Sequence, residues 1–191
     1  MEVGWRFSGV LGVGVIWGGV VVAMNRAGLG LVDNRPLSYL GVDPASAQWF
    51  SISLLVSAVL FLLFGLYVRR VYDVHNKFFL YLLIGQIGQV IAAVSPYGKD
   101  SPWRLVHTVA AFVLAFSLPL LMREFTIAQT GKPRYRLFRG LLRLEQVTFI
   151  VGIGLFIFTK GIAPLGEALP AIGYHLWIIA VAIVAPSRRD L

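Results

Sequence analysis

The chain has no cysteine among its 191 residues, which excludes disulfides, thiolate metal sites, iron–sulfur clusters and cysteine nucleophiles in any redox compartment. Charge is scarce as well. Only 14% of residues are charged, against roughly 25% in soluble domains, and those charges sit in short stretches between apolar runs. A soluble enzyme, a disordered tail and a nucleic-acid module are excluded on that basis. No internal repeat is strong enough to support an inverted-repeat transporter.

What is present is hydrophobic surface, at 58% of residues. A helix needs roughly 20 mostly apolar residues to cross the hydrocarbon core, and six such runs occur, at about 7–24, 49–68, 78–95, 105–122, 144–159 and 168–185. The first is not a signal peptide, because its positive flank is the single Arg6 and no small-residue cleavage site follows Val20, Val21, Val22, Ala23 and Met24. The fifth is short, and Arg143 and Glu145 crowd its start. The sequence predicts an all-α polytopic membrane protein, one domain over 1–191, folded as a bundle of six transmembrane helices.

Lysine and arginine cross membranes reluctantly, so their distribution sets orientation. The N-terminus, the loops 69–77 and 123–143 and the C-terminal tail, with Glu145 at the start of span five counted among them, hold twelve basic residues against five acidic ones, net +7. The other three loops hold five against four, net +1. Both termini are therefore expected in the cytoplasm of a multi-pass protein of the cell membrane. Trp49, Tyr97, Trp103 and Tyr174 fall near the opposite interface, where amphipathic rings prefer to sit.

Small residues crowd the first span, with Ser8 and Gly12, and Gly14 and Gly18, spaced for close helix contact. Pro119 removes a backbone hydrogen bond from the fourth span and predicts a bend there. Polar residues are more informative, because in lipid each needs a partner and so faces the bundle interior. His107 and Thr108 in span four, His175 in span six, Ser53 and Ser57 in span two and Gln86 and Gln89 in span three gather toward the outer half. They predict an outward-facing polar pocket that binds a lipid or a small polar molecule, for sensing or transport, with no cofactor required.

Three alternatives use the same residues. Serines and glutamines can simply bond helix to helix, giving a structural or partner-binding subunit. His107 and His175 could join an outer carboxylate, Asp33, Asp43, Asp100 or Glu167, in a zinc-dependent hydrolase with Ser38 nearby, although zinc wants three or four ligands and no His-x-x-x-His or Glu-x-x-His spacing exists. The histidine pair could also ligate a b-type haem. His75, in the turn Asp73, Val74, His75, Asn76, reads as solvated loop.

The loop 25–48 is long for so small a protein and is expected to be ordered. Asp33, Asn34, Arg35 and Pro36 signal a turn, 37–41 is apolar enough to dock on the bundle as a lid, and Asp43 with Pro44 resembles a helix cap. The sequence 95–102, including Tyr97 and Asp100, forms a second rim. On the cytoplasmic side Lys132, Arg134, Arg136, Arg139 and Arg143 read as a basic interfacial helix held by anionic lipid headgroups, with Leu137, Leu141 and Leu144 on another face. Orientation and lipid contact account for these charges without nucleic acid.

The segment 35–41 (RPLSYLG), then 95–98 (SPYG), then 107–111 (HTVAA) resembles a prokaryotic family of six-span membrane proteins, domain-of-unknown-function family nine-nine-eight. The likeness runs in order along nearly the whole chain. It implies a six-helix bundle with an outer-face histidine, matched by His107, and no established activity. The family's first loop commonly carries an aspartate before the Leu-Gly pair, where this chain has Tyr39, so no carboxylate role carries over to that position.

Overall fold

The computed structural model describes residues 2–31, 33–98, 101–159 and 164–184. Its long elements are all helices: α1 (Glu2–Ala27), α2 (Ala47–Val71), α3 (Asn76–Val94), α4 (Arg104–Ala128), α5 (Tyr135–Phe158) and α6 (Pro164–Val184), with a short 3-10 helix at Leu37–Gly41. Even α3, the shortest of the six at 19 residues, extends about 28 Å at 1.5 Å per residue, close to the thickness of a hydrocarbon core. All six are long and apolar enough to cross a membrane. Large side chains on their outer surfaces, such as Leu105, Ile150 and Phe158, stay exposed, as they would against lipid tails.

Side-chain contacts fix an up-and-down order. Arg6, at the start of α1, donates to the carbonyls of Ala182 and Ile183 at the end of α6, where orphan helix carbonyls attract a cation. Gln129, just after α4, donates to the carbonyl of Tyr72, just after α2. Ser38, ahead of α2, meets Glu167 at the start of α6. The starts of α2, α4 and α6 thus share one end of the bundle, called the mouth below. The opposite end carries Arg69, Arg70 and the exposed arginines of α5.

Local chemistry sets the element ends. Gly28 adopts φ +59° directly after α1, and the Leu29 N–H closes back on the Met24 carbonyl at 2.9 Å, a left-handed cap that glycine enters without steric cost. Beyond it, Leu37 and Leu40 of the 3-10 helix are buried with Val20, Ala23, Leu29, Phe50 and Ala168. The apolar loop segment therefore docks on the bundle. Toward the arginine end the core is aromatic, with Trp177 set against Phe64, Phe78 and Phe125 at ring separations of 5.1–6.5 Å.

Of the two small-residue pairs on α1, one is used inside the chain. A side-chain carbon at Gly12 would strike the Phe61 ring, and one at Gly9 would strike Phe64 and Ile178, whereas Gly14 and Gly18 have open space. Gly19 lets Ser53 of α2 approach so closely that any side chain there would collide with it.

The helices run past several expected span ends, α1 starting at Glu2 and α4 continuing to Ala128, and two of the shifted starts bear on function. Helix α5 begins at Tyr135 rather than near 144, so Arg136, Arg139 and Arg143 ride on the first turns of the spanning helix itself and form no separate interfacial helix. Long arginine side chains permit this, since their heads reach the interface while their stems cover apolar surface. The face that α5 buries runs through Phe138, Glu145 and Gly152, while Leu137 and Leu144 are exposed. Helix α6 begins at Pro164, which places Glu167 in its first turn rather than in a loop.

Candidate functional site

A cavity of about 190 Å³, open on one side, runs inward from the mouth. Its wall follows α4 from His107 to Leu118, about 16 Å at the helical rise. The other walls are Ala92 of α3, Phe50 and Leu54 of α2, Ile153 and Phe156 of α5, and Gly166, Glu167, Pro170 and Ala171 of α6. Apolar side chains dominate the deep part. Polar groups collect at the mouth, where Ser38, Tyr97, His107, Thr108 and Glu167 line it.

Each mouth residue is held by its element. Ser38 donates its backbone N–H to Glu167 Oε2 at 2.7 Å and its hydroxyl to Oε1 at 2.9 Å, so a half-buried carboxyl ties the 3-10 helix to α6. His107 puts Nδ1 2.7 Å from the Ser95 carbonyl. That carbonyl has no hydrogen to give, so Nδ1 carries the proton of the neutral ring and Nε2 presents a lone pair. The ring also lies 5.4 Å from that of Tyr97. Thr108 donates to the Arg104 carbonyl at 2.9 Å.

The outer rim is built from cations on rings. Arg35 stands 5.1 Å over Tyr39, Arg104 5.4 Å over Tyr97 and Arg26 5.0 Å over Trp49. Arg35 also bonds Asp33 through two nitrogens at 3.0 and 3.2 Å, and that hydrogen bonding holds the Asp33 carboxyl below its usual range.

Of the two prolines inside helices, Pro170 lines this space and Pro119 directly follows the lining residue Leu118. Pro119 has no N–H for the carbonyl of Ala115, and Pro170 has none for Gly166. Ala115 and Gly166 both line the cavity. The Gly166 carbonyl is turned toward Gly152 of α5, where an added side-chain carbon would sit 3.0 Å from it.

Several residues expected to share one polar pocket lie elsewhere. Gln89 donates to Ser57 Oγ at 2.8 Å and to the Leu54 carbonyl at 2.9 Å, which is hydrogen-bonded glue between α3 and α2. Ser53 and Ser57 donate to carbonyls on their own helix, those of Phe50 and Leu54. Gln86 is buried, with its Oε1 unpartnered. Asp100 lies outside the described residues.

His175 requires a correction. Because α6 starts at Pro164, this residue sits eleven residues into its helix, about 16 Å from the start, whereas His107 sits three residues into α4, about 4 Å from its start. Their depths do not match. His175 accepts the Trp17 indole N–H at 3.0 Å and packs 5.5 Å from the Phe61 ring, a buried core histidine outside the cavity lining. Among the described residues no three of His, Asp and Glu gather as a metal donor set. The His107, His175 and carboxylate set drawn for zinc is therefore not found among the described residues, from which Asp100 is missing.

Two residues acquire roles that sequence reading missed. One is Pro170, since a proline within an apolar run frees a carbonyl one turn earlier. The other is Glu145, which hydropathy alone puts at the crowded start of span five. With α5 starting at Tyr135 it lies near mid-helix, fully buried, with neither carboxyl oxygen hydrogen-bonded, against Gly173 of α6, where no side chain would fit. The chain matches no family model, no curated protein and no solved structure.

Proposed function

We propose that this integral membrane protein binds an amphipathic molecule, a membrane lipid in the first instance, with its tail in the α4, α5 and α6 cavity and its head at the Ser38, Glu167 and His107 mouth. The observation that carries the proposal is the polarity gradient: a trough of Ala, Leu, Ile and Phe side chains that ends in a cluster of hydrogen-bonding groups. At about 190 Å³ the cavity is smaller than the roughly 300–1,000 Å³ of sites that enclose a drug-sized ligand. It suits one end of a longer molecule, the remainder lying in the bilayer. Helix α5 packs chiefly on α6 and only lightly on α4. The pairs Phe112 with Phe156 and Phe116 with Phe149 bridge that seam at 5.8 and 5.1 Å, and the tail would leave between them.

The proposal includes orientation. The mouth faces outward and the arginine end lies in the cytoplasm, with Lys132, Arg134, Arg136, Arg139 and Arg143, all exposed, at anionic headgroups, each contributing on the order of 1 kcal/mol. Membership of the six-span family whose loop motifs the chain resembles belongs to the same proposal. Native mass spectrometry of the protein purified in mild detergent tests the site. Wild type should retain about one lipid per chain, and Ala115→Phe, which fills the trough, should lose it. Ile150→Phe, on the 68% exposed surface of α5, should keep it. Equal retention by both variants would place the bound lipid elsewhere.

A further inference from the structure

Glu145 is an acidic side chain fully buried near the middle of α5, and neither carboxyl oxygen has a hydrogen-bond partner. Thr148, one turn on, gives its hydroxyl hydrogen to the Glu145 backbone carbonyl at 3.0 Å and keeps only lone pairs for the carboxyl. Glu145 Oε2 and Thr148 Oγ1 both lie within 2.9 Å of the point that a side-chain carbon on Gly173 would occupy. The carboxyl therefore rests directly on the α6 backbone, with no room between them for a water or a metal cation. Glu145 also lies outside the cavity lining.

The charged and titratable groups of the neighbouring elements are engaged elsewhere or distant. On α5 itself Arg136, Arg139 and Arg143 are exposed, and residues two apart on a helix do not face the same way, which turns Arg143 aside. On α4, Arg123 is paired with Glu124 at 2.9 Å, and Arg104 sits over Tyr97 at the mouth. On α6, Tyr174 is buried with its ring stacked on Trp177, Glu167 is held by Ser38 and His175 by Trp17. Beyond the ends of α5 and α6 the chain is thirteen residues from Glu145 and eleven from Gly173, about 20 and 16 Å along the helices.

An ionised carboxylate in this position would give up its hydration with no donor in return. An un-ionised carboxyl has no charge to desolvate, and it has a hydrogen to offer the Thr148 lone pairs. We propose that Glu145 is a proton-binding site in the membrane interior, holding one exchangeable proton while α5 and α6 are closed on each other and releasing it as they part at Gly173. Gly152, two turns along the same face of α5, closes on Gly166 and Pro170 with similar intimacy, and those two residues line the cavity. The proton thus holds shut a seam that forms one cavity wall. The proposal stands whether or not the cavity holds a lipid.

The test combines infrared spectroscopy of the full chain in lipid nanodiscs near neutral pH with thermal unfolding at rising pH. Wild type should show the carbonyl stretch of an un-ionised carboxyl in dry surroundings. Glu145→Gln should lose that band yet fold, because glutamine imitates the neutral acid. The folded site keeps a proton that a solvated glutamate in the unfolded chain has released, so wild-type stability should fall as pH rises. Relative to Glu145→Gln, the melting temperature should drop by about 3 °C per pH unit, the slope that one proton gives. Should glutamine pack badly against Gly173, Glu145→Met, uncharged and of similar length, supplies the same comparison. A wild type without the un-ionised band, a band that survives in a folded Glu145→Gln or Glu145→Met, or equal pH slopes in wild type and variant overturns the proposal. If neither uncharged variant folds, the bundle needs Glu145 as an anion, and the proposal fails as well.

Discussion

At the scale of single residues, the two membrane histidines separate by the company they keep. His107 lines the cavity, and its Nδ1 is fixed by the Ser95 carbonyl. His175 is sealed in the core and accepts the Trp17 indole. Removing the second ring leaves a void and a buried N–H without a partner, each costly. His175→Ala should therefore destabilise the protein by about 2–4 kcal/mol, read from thermal or denaturant unfolding, while the lipid retained per folded molecule stays unchanged. His107→Ala should do the reverse, lowering retention more than stability. The sequence carried the polarity of such residues, and the depth of His107 but not of His175. It did not carry their direction around the helix axis, which decided that Gln89, Ser53 and Ser57 bind helix to helix while Ser38, His107 and Thr108 reach the cavity. Glu145 was hidden for another reason: its burial depends on the glycine opposite, Gly173, a pairing across two helices that no local pattern encodes.

At the scale of elements, hydropathy located every span and cut several of them short, the starts of α5 and α6 among them. A window of uncharged residues ends where arginines begin, but a helix does not, because guanidinium heads reach the interface on long stems. Helix α5 thus continues from Tyr135 through Arg143 without a break. Proline inside a helix costs about 3 kcal/mol or more, whereas at a junction between an interfacial and a spanning helix it would be tolerated. Arg143→Pro should lower unfolding stability by about 3 kcal/mol, and an unchanged melting curve would restore the two-helix description. The early start of α6 has a related origin, since Glu167 stops a hydropathy window although an acidic residue is well tolerated in a first helical turn. The docked 3-10 helix was legible because Leu37 and Leu40 are apolar in an otherwise polar loop, and both are buried.

At the scale of the molecule, six apolar helices in up-and-down order put a polar mouth at one end and an arginine-rich surface at the other. Charge asymmetry predicts that the arginine end stays in the cytoplasm. The absence of cysteine makes single introduced thiols clean reporters: in intact cells an impermeant maleimide should label Lys99→Cys and leave Lys132→Cys unreacted until the membrane is opened, and the opposite pattern would invert the orientation. The central claim is that the trough between α4, α5 and α6 holds an acyl chain. Cryo-electron microscopy of the protein in a lipid nanodisc tests it directly. The account predicts a continuous rod of density running from the Ser38 and Glu167 contact down past Ala115 to Leu118. Lipid density confined to the outer surfaces of the helices, with the trough collapsed or filled only by separate water peaks, would contradict it.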